Sequence, residues 1–508
     1  MYRIFGPPGT GKTTRLLGMV DKALSQGTPP SSIAFLAFTK KAATEAKERA
    51  MERFGLKEND LPYFRTIHSL AYQMVGMKSQ QMMQAEHFKE LATYIGVDLN
   101  TTADALTEDD VGMRGQQHPI LSLINLARLK KISLRDAYNE TEIDETWATI
   151  EYTASAYNKY KEINYLYDFT DLLELFISDG HQYCPNFELC FLDEAQDLSP
   201  LQWEIAHKLD EKSVRMYAAG DDDQAIYRWN GADVEQFIRL DGPSEVLDQS
   251  YRVPFTIHQF AESISNRIHG RYTKKYKFKP ETRGSVNHVE TMTGIDMSTG
   301  TWLVLAQTRY MLEEPKQALQ SMGYLFKYHN GKRSVSEKIS LAINGWTQLA
   351  KGNRIAAETV RAIYSYMSGN GVGIAKGFKK PLFDDNSTYS YDDLIKNYGL
   401  LVSNELIWHE AMDKLPKVDR AYITAALRRG EKFNATPRIT LSTIHGSKGG
   451  EADGVILYTD LSWAAIKNIQ SQQEVDDLLR VFYVGITRAK NALYLVAPEE
   501  FERSFFGI

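Results

Sequence analysis

The chain has few cysteines and no long hydrophobic run. Only two of its 508 residues are cysteines, Cys184 and Cys190. Two are too few for a disulfide framework or for a cysteine-based zinc site, and their scarcity favours a reducing, cytoplasmic setting. No stretch of eighteen or more residues is continuously apolar, so the sequence predicts no membrane-spanning helix.

The chain also lacks a strong charge of either sign. Its 59 basic and 65 acidic residues leave a net charge of −6. This balance argues weakly against a protein that binds nucleic acid over its whole surface, but it is compatible with a local basic groove, because phosphate binding is a property of a patch. The apolar content of 43% is ordinary for a soluble globular protein, and the length predicts two to four domains.

The most specific pattern lies at the start of the chain. Residues 6–13 read GPPGTGKT, a phosphate-binding loop of the form G-x-x-x-x-G-K-[ST] between a short apolar strand and a helix. Its backbone N–H groups and the helix N-terminus would cradle phosphates. A glycine-rich turn without a ligand is the alternative, and a removable signal peptide is not expected here. The predicted nucleotide-binding residues are Gly6, Pro7, Pro8, Gly9, Thr10, Gly11, Lys12, Thr13 and Thr14.

Within this loop, Lys12 is expected to reach the β- and γ-phosphates, and Thr13 to bind Mg²⁺. A second Mg²⁺ ligand is predicted where an apolar strand pattern, 187–192, ends in Asp193 and Glu194. Asp193 would hold the metal and Glu194 would orient or deprotonate the attacking water. An acidic loop without such a role is the alternative.

A third apolar run ends in the segment GDDDQ, residues 220–224. Gln224 is placed to contact the γ-phosphate and to report its loss. Tyr227, Arg228 and Trp229 follow within five residues. Aromatic side chains beside such a sensor suit a coupled grip on single-stranded nucleic acid, because bases stack on aromatic faces. Packing into the core is the alternative for both aromatics.

These segments resemble motifs of the UvrD/Rep/PcrA-like DNA helicases of superfamily 1. FLDEAQDLSPLQW and AAGDDDQAIYRWNGAD resemble motifs II and III. Other matches, in the family's order, are 37–43 (motif Ia), 66–69 (Ib), 168–172 (the stretch ahead of motif II), 249–252 (IV), 443–451 (V) and 483–489 (VI). The similarity extends from Gly6 to Lys490, and the length suits a compact member, such as a viral one.

The resemblance implies an α/β fold. Two RecA-like P-loop domains with parallel sheets are expected, each carrying a mostly helical inserted subdomain. The predicted ranges are 1–74 and 166–255 for the first domain, 75–165 for its insertion, 256–330 and 437–508 for the second domain, and 331–436 for its insertion.

The resemblance also implies further site residues. Arg252 is similar to the family's first γ-phosphate arginine, Glu451 to a nucleotide-binding residue, and Arg488 to an arginine finger contributed across the cleft between the domains. Trp229 is the best candidate for base stacking. The residues that match the family's DNA-binding groove are Phe38, Thr39, Lys40, His68, Tyr227, Trp229, Thr443 and His445.

The activity implied is ATP- and Mg²⁺-dependent 3′-to-5′ translocation on single-stranded DNA with duplex unwinding, in repair, replication or recombination. Single-stranded DNA and its junctions with duplex would be the substrate, a replication or repair protein could be a partner, and the protein would act as a monomer in the cytoplasm. An RNA translocase is disfavoured because motif V reads TIHGSKGGE, as in the DNA enzymes. A small-molecule phosphotransferase leaves motifs V and VI unexplained.

Two departures from the family keep an alternative open. The segment that carries the adenine-reading glutamine is missing ahead of the loop, so preference for ATP over other nucleotides is not implied. In the family's bacterial members a strand-separating hairpin belongs to the second domain, and no clear candidate for its full form is evident in this sequence. The alternative is therefore an ATP-gated translocase or clamp that remodels protein–DNA complexes with little unwinding.

Overall fold

The computed structural model describes residues 1–38, 40–99, 118–369, 371–378 and 383–504. The predicted DNA contact at Thr39 lies outside these residues. The chain packs into two compact units, Met1–Ser285 with Lys467–Asn491 and Val286–Ile466 with Ala492–Ile508. Among the described residues, no helix is both long and apolar enough to span a membrane.

The first unit is built on a six-stranded sheet with the order β3-β2-β4-β5-β1-β6. Each of its neighbouring strand pairs is parallel. Runs such as IAFLA in β2 are buried at every position, as expected where helices cover both faces of a parallel sheet. The strands are β1 (Tyr2–Phe5), β2 (Ile33–Ala37), β3 (Phe64–Thr66), β4 (Phe187–Leu192), β5 (Ser213–Gly220) and β6 (Ser244–Val246).

Helices connect these strands, and four of them, α4 to α7, form a separate small core between α3 and α8. Phe88, Ile124, Ile150 and Tyr157 are buried in that core. The helices are α1 (Lys12–Ser25), α2 (Lys40–Phe54), α3 (Ile67–Val75), α4 (Ala85–Ile95), α5 (Pro119–Lys130), α6 (Leu134–Asn139), α7 (Trp147–Asn164), α8 (Phe169–Ser178), α9 (Pro200–Glu211), α10 (Val234–Arg239) and α11 (Phe255–Ser265).

A buried ion cluster joins α5 and α7 to the start of α8. Asp168 caps α8 and forms a capping box with Asp171. Lys161 Nζ donates to Asp168 Oδ2 and Asp171 Oδ2, both at 2.6 Å, and Arg128 Nη1 donates to Asp168 Oδ2 at 2.9 Å. Burial opposes ionisation of Asp168, but Arg128 and Lys161 outweigh it and lower its pKa to about 2. The motif at 168–172 therefore anchors the helical insertion.

The second unit holds a six-stranded sheet with the order β7-β14-β13-β8-β12-β9 and a separate antiparallel pair, β10 and β11. Pairing is parallel between β12 and β8, β12 and β9, and β13 and β8. The strands are β7 (Ser285–Val289), β8 (Trp302–Ala306), β9 (Phe326–Tyr328), β10 (Ile355–Ala356), β11 (Thr388–Tyr389), β12 (Ile439–Thr443), β13 (Ala452–Tyr458) and β14 (Ala489–Val496).

Most helices of the second unit lie between β9 and β12. Trp346 and Ile363 are buried where α13 and α14 pack together. The helices are α12 (Glu313–Ser321), α13 (Glu337–Ala350), α14 (Ala357–Ser365), α15 (Tyr391–Tyr398), α16 (Trp408–Ala411), α17 (Lys417–Arg428) and α18 (Trp463–Lys467). A last helix, α19 (Gln472–Ile486), packs with the first unit.

The predicted α/β class, with two sheets that each carry a helical insertion, is confirmed. The predicted domain ranges remain a prediction. The compact units are divided at 285, 466 and 491, because α11 and α19 pack on each other within the first unit.

Candidate nucleotide-binding site

The phosphate loop leaves the sheet at the end of β1, between β5 and β6. Gly9 and Gly11 adopt the left-handed backbone region, with φ of +72° and +79°, which glycine enters without steric cost. A Cβ on Gly9 would also lie 2.4 Å from Arg252 Cβ. The Thr10 hydroxyl closes the turn by donating to the Pro7 carbonyl at 2.8 Å. The loop conformation and its surroundings thus both require glycine at position 9.

The four residues predicted to handle phosphate, metal and water lie together. Lys12 Nζ donates to the Gly6 carbonyl at 3.0 Å and lies 3.8 Å from Glu194 Oε1. Thr13 Oγ1 donates to Asp193 Oδ2 at 2.8 Å. Lysine at the loop and a hydroxyl beside a strand-end carboxylate are the groups that P-loop enzymes use on phosphate and Mg²⁺.

Asp193 is 3% exposed. Burial, followed by the charge of Glu194, raises its pKa to about 6, although Lys12 and the Thr13 hydroxyl oppose the shift. A divalent cation would favour the charged carboxylate, and oxygen ligands are those that Mg²⁺ prefers. Thr13 and Asp193 therefore fit a Mg²⁺ site.

Gln196 links this acidic pair to the next strand and was not singled out by the sequence. Its Nε2 donates to Glu194 Oε2 at 2.6 Å, and its Oε1 accepts the Asp221 N–H at 2.9 Å. A Cβ on Gly220 would lie 2.5 Å from Gln196 Oε1. The glycine at the end of β5 is the one local signal of this close approach.

Gln224 and Arg488 meet although 264 positions separate them. Arg488 Nη2 donates to Gln224 Oε1 at 2.6 Å, and Gln224 Nε2 donates to Asp221 Oδ2 at 2.6 Å. Arg488 is 2% exposed, and its Nε donates to the Val484 carbonyl at 2.9 Å. In the structure Arg488 belongs to the same compact unit as the phosphate loop.

The segment around Arg252 is tied to the phosphate loop through its neighbours. Ser250 Oγ donates to the Pro8 carbonyl at 2.7 Å, and the Tyr251 N–H donates to the Gly9 carbonyl at 2.8 Å. Arg252 is half-buried, and its N–H donates to Ser250 Oγ at 3.3 Å. Both predicted γ-phosphate arginines are thus held within the first unit.

Three of the predicted DNA-binding residues form an aromatic row. Phe38 stacks on Tyr227 with ring centroids 5.5 Å apart, and Trp229 lies 6.3 Å from Tyr227 at 61°. All three rings are half-buried. His68 contacts Phe169 edge-on at 6.2 Å, and Lys40 is exposed. The three residues of the row are each partly exposed, which stacking on a base requires.

The remaining predicted residues lie in the second unit. Thr443 ends β12, and its Oγ1 accepts the Gly446 N–H at 3.1 Å. His445 is half-buried in the turn that follows, and Glu451 is exposed immediately before β13. Their roles in binding DNA or nucleotide stay predictions.

Two basic residues beside the GDDDQ segment were missed by the sequence analysis. Lys274, whose side chain is fully buried, lies 3.1, 2.6 and 2.8 Å from the carboxylates of Asp221, Asp222 and Asp223. Arg271 donates to both oxygens of Asp223, at 2.8 and 2.6 Å. Three consecutive acids after an apolar strand were the available signal, since buried carboxylates need cationic partners.

The sheet order, the loop and its lysine, and the strand-end Asp–Glu pair define the first unit as a RecA-like P-loop nucleotide-binding fold. A family model described as the UvrD/REP helicase N-terminal domain matches residues 2–244. A second, described as the UvrD-like helicase C-terminal domain, matches residues 438–496. The chain belongs to the UvrD/REP helicase family.

Curated relatives match at low identity. The ATP-dependent DNA helicase PcrA of Leuconostoc citreum is 24% identical over 385 residues, which cover 72% of this chain and 50% of the relative. A probable DNA helicase II homolog of Mycoplasma genitalium is 22% identical over 596 positions, covering 97% and 82%. DNA helicase II of Escherichia coli is 27% identical over 284 residues, covering 53% and 38%. The chain thus spans half of the Leuconostoc relative's length and most of the Mycoplasma relative's.

Proposed function

We propose that this protein is an ATP-dependent DNA helicase that moves 3′-to-5′ along single-stranded DNA and unwinds duplex. The observation that carries the proposal is that one segment, 220–229, holds both Gln224 and the aromatics Tyr227 and Trp229. Loss of the γ-phosphate at Gln224 would therefore be transmitted over three residues to Tyr227 and over five to Trp229, whose rings would stack on bases. Family membership supports the same activity.

In the nucleotide-bound protein, Lys12 would exchange its contacts with the Gly6 carbonyl and Glu194 for phosphate oxygens. Thr13 and Asp193 would hold Mg²⁺, which supplies positive charge against the phosphates. Glu194 would orient the attacking water. Arg252 and Arg488 would stabilise charge that develops on the γ-phosphoryl group.

The DNA strand would be held by stacking and by backbone contacts. Phe38, Tyr227 and Trp229 would stack on bases, each worth about 1–3 kcal/mol. The predicted contacts at Lys40, His68, Thr443 and His445 would bind phosphate, sugar or a base face. The protein would act on single-stranded DNA and its junctions with duplex, as a monomer in the cytoplasm.

The first experiment is ATP hydrolysis by the purified protein with and without single-stranded DNA. We expect a large DNA-dependent rise that Lys12→Ala abolishes, because Lys12 is the loop's phosphate-binding cation. The same rate with and without DNA would contradict coupling between the two sites. Single-stranded RNA in the same assay tests the nucleic-acid class.

Unwinding and its polarity are tested on duplexes that carry a single-stranded tail at one end. We expect strand separation on a 3′-tailed duplex and not on a 5′-tailed one. DNA-stimulated hydrolysis that displaces a bound protein but separates neither duplex would favour the ATP-gated clamp instead.

A further inference from the structure

We propose that Lys274 is a positioning residue for Gln224 that fixes the orientation of its side-chain amide toward the nucleotide. The inference rests on the proposed function, because it takes Gln224 as the residue that contacts the γ-phosphate. Lys274 itself touches no residue assigned to phosphate or metal and acts through Asp221.

The contacts form a continuous chain. Lys274 Nζ lies 3.1 Å from Asp221 Oδ1. The second oxygen of that carboxylate, Oδ2, accepts from Gln224 Nε2 at 2.6 Å. Gln224 Oε1 then accepts from Arg488 Nη2 at 2.6 Å. Each side chain in the series thus sets the direction of the next.

The chemistry of these groups gives the amide one orientation. A carboxylate offers only acceptor oxygens, and a guanidinium offers only donors. Asp221 therefore takes the NH₂ end of Gln224, and Arg488 takes the carbonyl end. If the Asp221 carboxylate turned away, the NH₂ group of Gln224 would lose this acceptor, and a flipped or displaced amide would present the wrong atom to the γ-phosphate.

Lys274 is the cation that holds the Asp221 carboxylate in place, together with the Asp223 N–H, which donates to the same Oδ1 at 3.3 Å. Within the part of the chain that the structure describes, Lys274 is the cation that contacts all three carboxylates of 221–223, whereas Arg271 forms its ion pair with Asp223. Asp222 also accepts the Tyr272 N–H at 2.7 Å. In this arrangement, Asp221 depends on Lys274 for its cationic partner.

Lys274 is in turn fixed to the base of the phosphate loop. Tyr272, two residues before it, stacks on Phe5 with centroids 4.0 Å apart and an interplanar angle of 5°. Phe5 directly precedes Gly6, the first loop residue. Lys274 is therefore positioned relative to the same backbone that would cradle the phosphates.

The test is nucleotide discrimination, measured as the ratio of the Kd for MgADP to the Kd for the Mg²⁺ complex of β,γ-imido-ATP. Only the ATP analogue carries a γ-phosphate group. The Kd ratio measured for Gln224→Ala therefore gives the value expected when the contact between Gln224 and the γ-phosphate is lost. We expect Lys274→Met to reduce the ratio roughly ten- to a hundredfold, as for loss of a hydrogen bond to a charged group, with the affinity for MgADP retained.

Asp221→Asn is the second variant, because it keeps the size of the side chain and decides the question if Lys274→Met does not fold. Lys274 and Gln224 contact different oxygens of Asp221, and an asparagine keeps an oxygen at only one of these two positions, so either Lys274 or Gln224 loses its contact. We expect the same reduced ratio. A wild-type ratio in Asp221→Asn, or in folded Lys274→Met, would overturn the inference.

Lys161→Met is the matched control, because it also removes a buried lysine from two aspartates but has no path to Gln224. Its ratio should equal that of the wild type. An equal fall in Lys161→Met would mean that general loosening lowers the ratio, and would overturn the inference.

The two proposals fail in different ways. If the wild type binds neither nucleotide, the proposed function fails and the inference with it. Suppose that the wild type discriminates between the two nucleotides and Gln224→Ala does not. If the Lys274 and Asp221 variants then have the wild-type Kd ratio, the inference alone fails.

Discussion

Among its described residues, the first unit contains two buried lysines that each pair with several aspartates. They differ in which other residues those aspartates contact. Lys161 is 7% exposed and pairs with Asp168 and Asp171. Lys274 is fully buried and pairs with three aspartates. Around Lys161, the two carboxylates form the capping box of α8 and pair with Arg128, so these contacts hold helices of the insertion together. Around Lys274, one carboxylate continues to Gln224.

The comparison shows that a buried ion pair does not by itself indicate function. Strongly shifted pKa values occur in both clusters, as expected because structural networks also perturb titration. The distinguishing feature is the hydrogen bond that leads out of the cluster to a residue of the nucleotide site. Variants in the two clusters test this distinction.

Arg488→Gln should lower kcat for ATP hydrolysis by roughly 10³-fold or more, because an arginine that stabilises charge on the transferred phosphoryl group is worth about 10³–10⁵. Arg128→Gln removes an equally engaged arginine from the other cluster. It should lower the melting temperature but leave kcat within about threefold of the wild type at a temperature where it is folded. Equal losses of kcat in the two variants would remove the distinction between the clusters.

Lys274→Met should destabilise the protein more than Lys161→Met. Removing one partner of a buried ion pair typically costs about 3–5 kcal/mol. In Lys161→Met the aspartates keep Arg128 as a cationic partner, whereas in Lys274→Met the remaining cation, Arg271, pairs with Asp223. Denaturant unfolding of the two variants measures the difference, and a larger loss in Lys161→Met would contradict it.

Asp168 and Asp222, one aspartate from each cluster, should respond to pH with opposite signs. The folded pKa of Asp168, about 2, lies below its ordinary 3.8. Its contribution of about 2 kcal/mol is thus present above pH 4 and lost as the pH falls from 3.8 towards 2. The difference in unfolding free energy between the wild type and Asp168→Asn should shrink over that range. A constant difference would contradict the shift.

Asp222 provides the opposite case. Burial, opposed by Lys274 and reinforced by Asp223 and Asp221, raises its pKa to about 6. Its ionisation therefore costs stability as the pH rises from 3.8 to 6. Relative to Asp222→Asn, the wild type should lose stability over that window, and a relative gain there would be inconsistent with the raised pKa.

The smallest expected effects come from two tyrosine hydroxyls. Tyr157 donates to the Asp168 carboxylate at 2.8 Å, whereas the hydroxyls of Tyr276 and Tyr483 pair with each other at 3.1 Å. Tyr157→Phe should cost about 2 kcal/mol of unfolding free energy and Tyr276→Phe about 1 kcal/mol, because hydrogen bonds to charged groups are stronger. Denaturant unfolding of both variants checks the order, which a larger loss in Tyr276→Phe would reverse.

Much of the fold and of the candidate site was predictable because the signals are local. The string GPPGTGKT contains the glycines that permit the loop's left-handed residues and the lysine and threonine that face Asp193 and Glu194. Apolar runs ending in acids marked β4 and β5, because the carboxyl ends of parallel strands meet at one edge of a sheet. The resemblance to a known family added Arg252 and Arg488, which no local pattern would have singled out.

Gln196, Arg271 and Lys274 escaped the sequence analysis for a common reason. Each is a polar residue in a segment where polar residues are expected, so its local sequence gives no sign of a buried contact. Lys274 lies in a run of basic residues, 271–279, that reads as a solvated surface. In the tertiary structure Tyr272 stacks on Phe5, and Lys274 points inward to the acids of 221–223.

The P-loop class, the order of the motifs and the residues nearest the phosphates follow from the sequence alone, because these depend on glycines, strand patterns and spacings within a few residues. Which charges meet depends instead on the tertiary structure. Lys274 reaches Asp222 across 52 positions and Arg488 reaches Gln224 across 264. Contacts over such separations depend on how helices and strands pack, and a buried charge finds its partner only when that packing is complete.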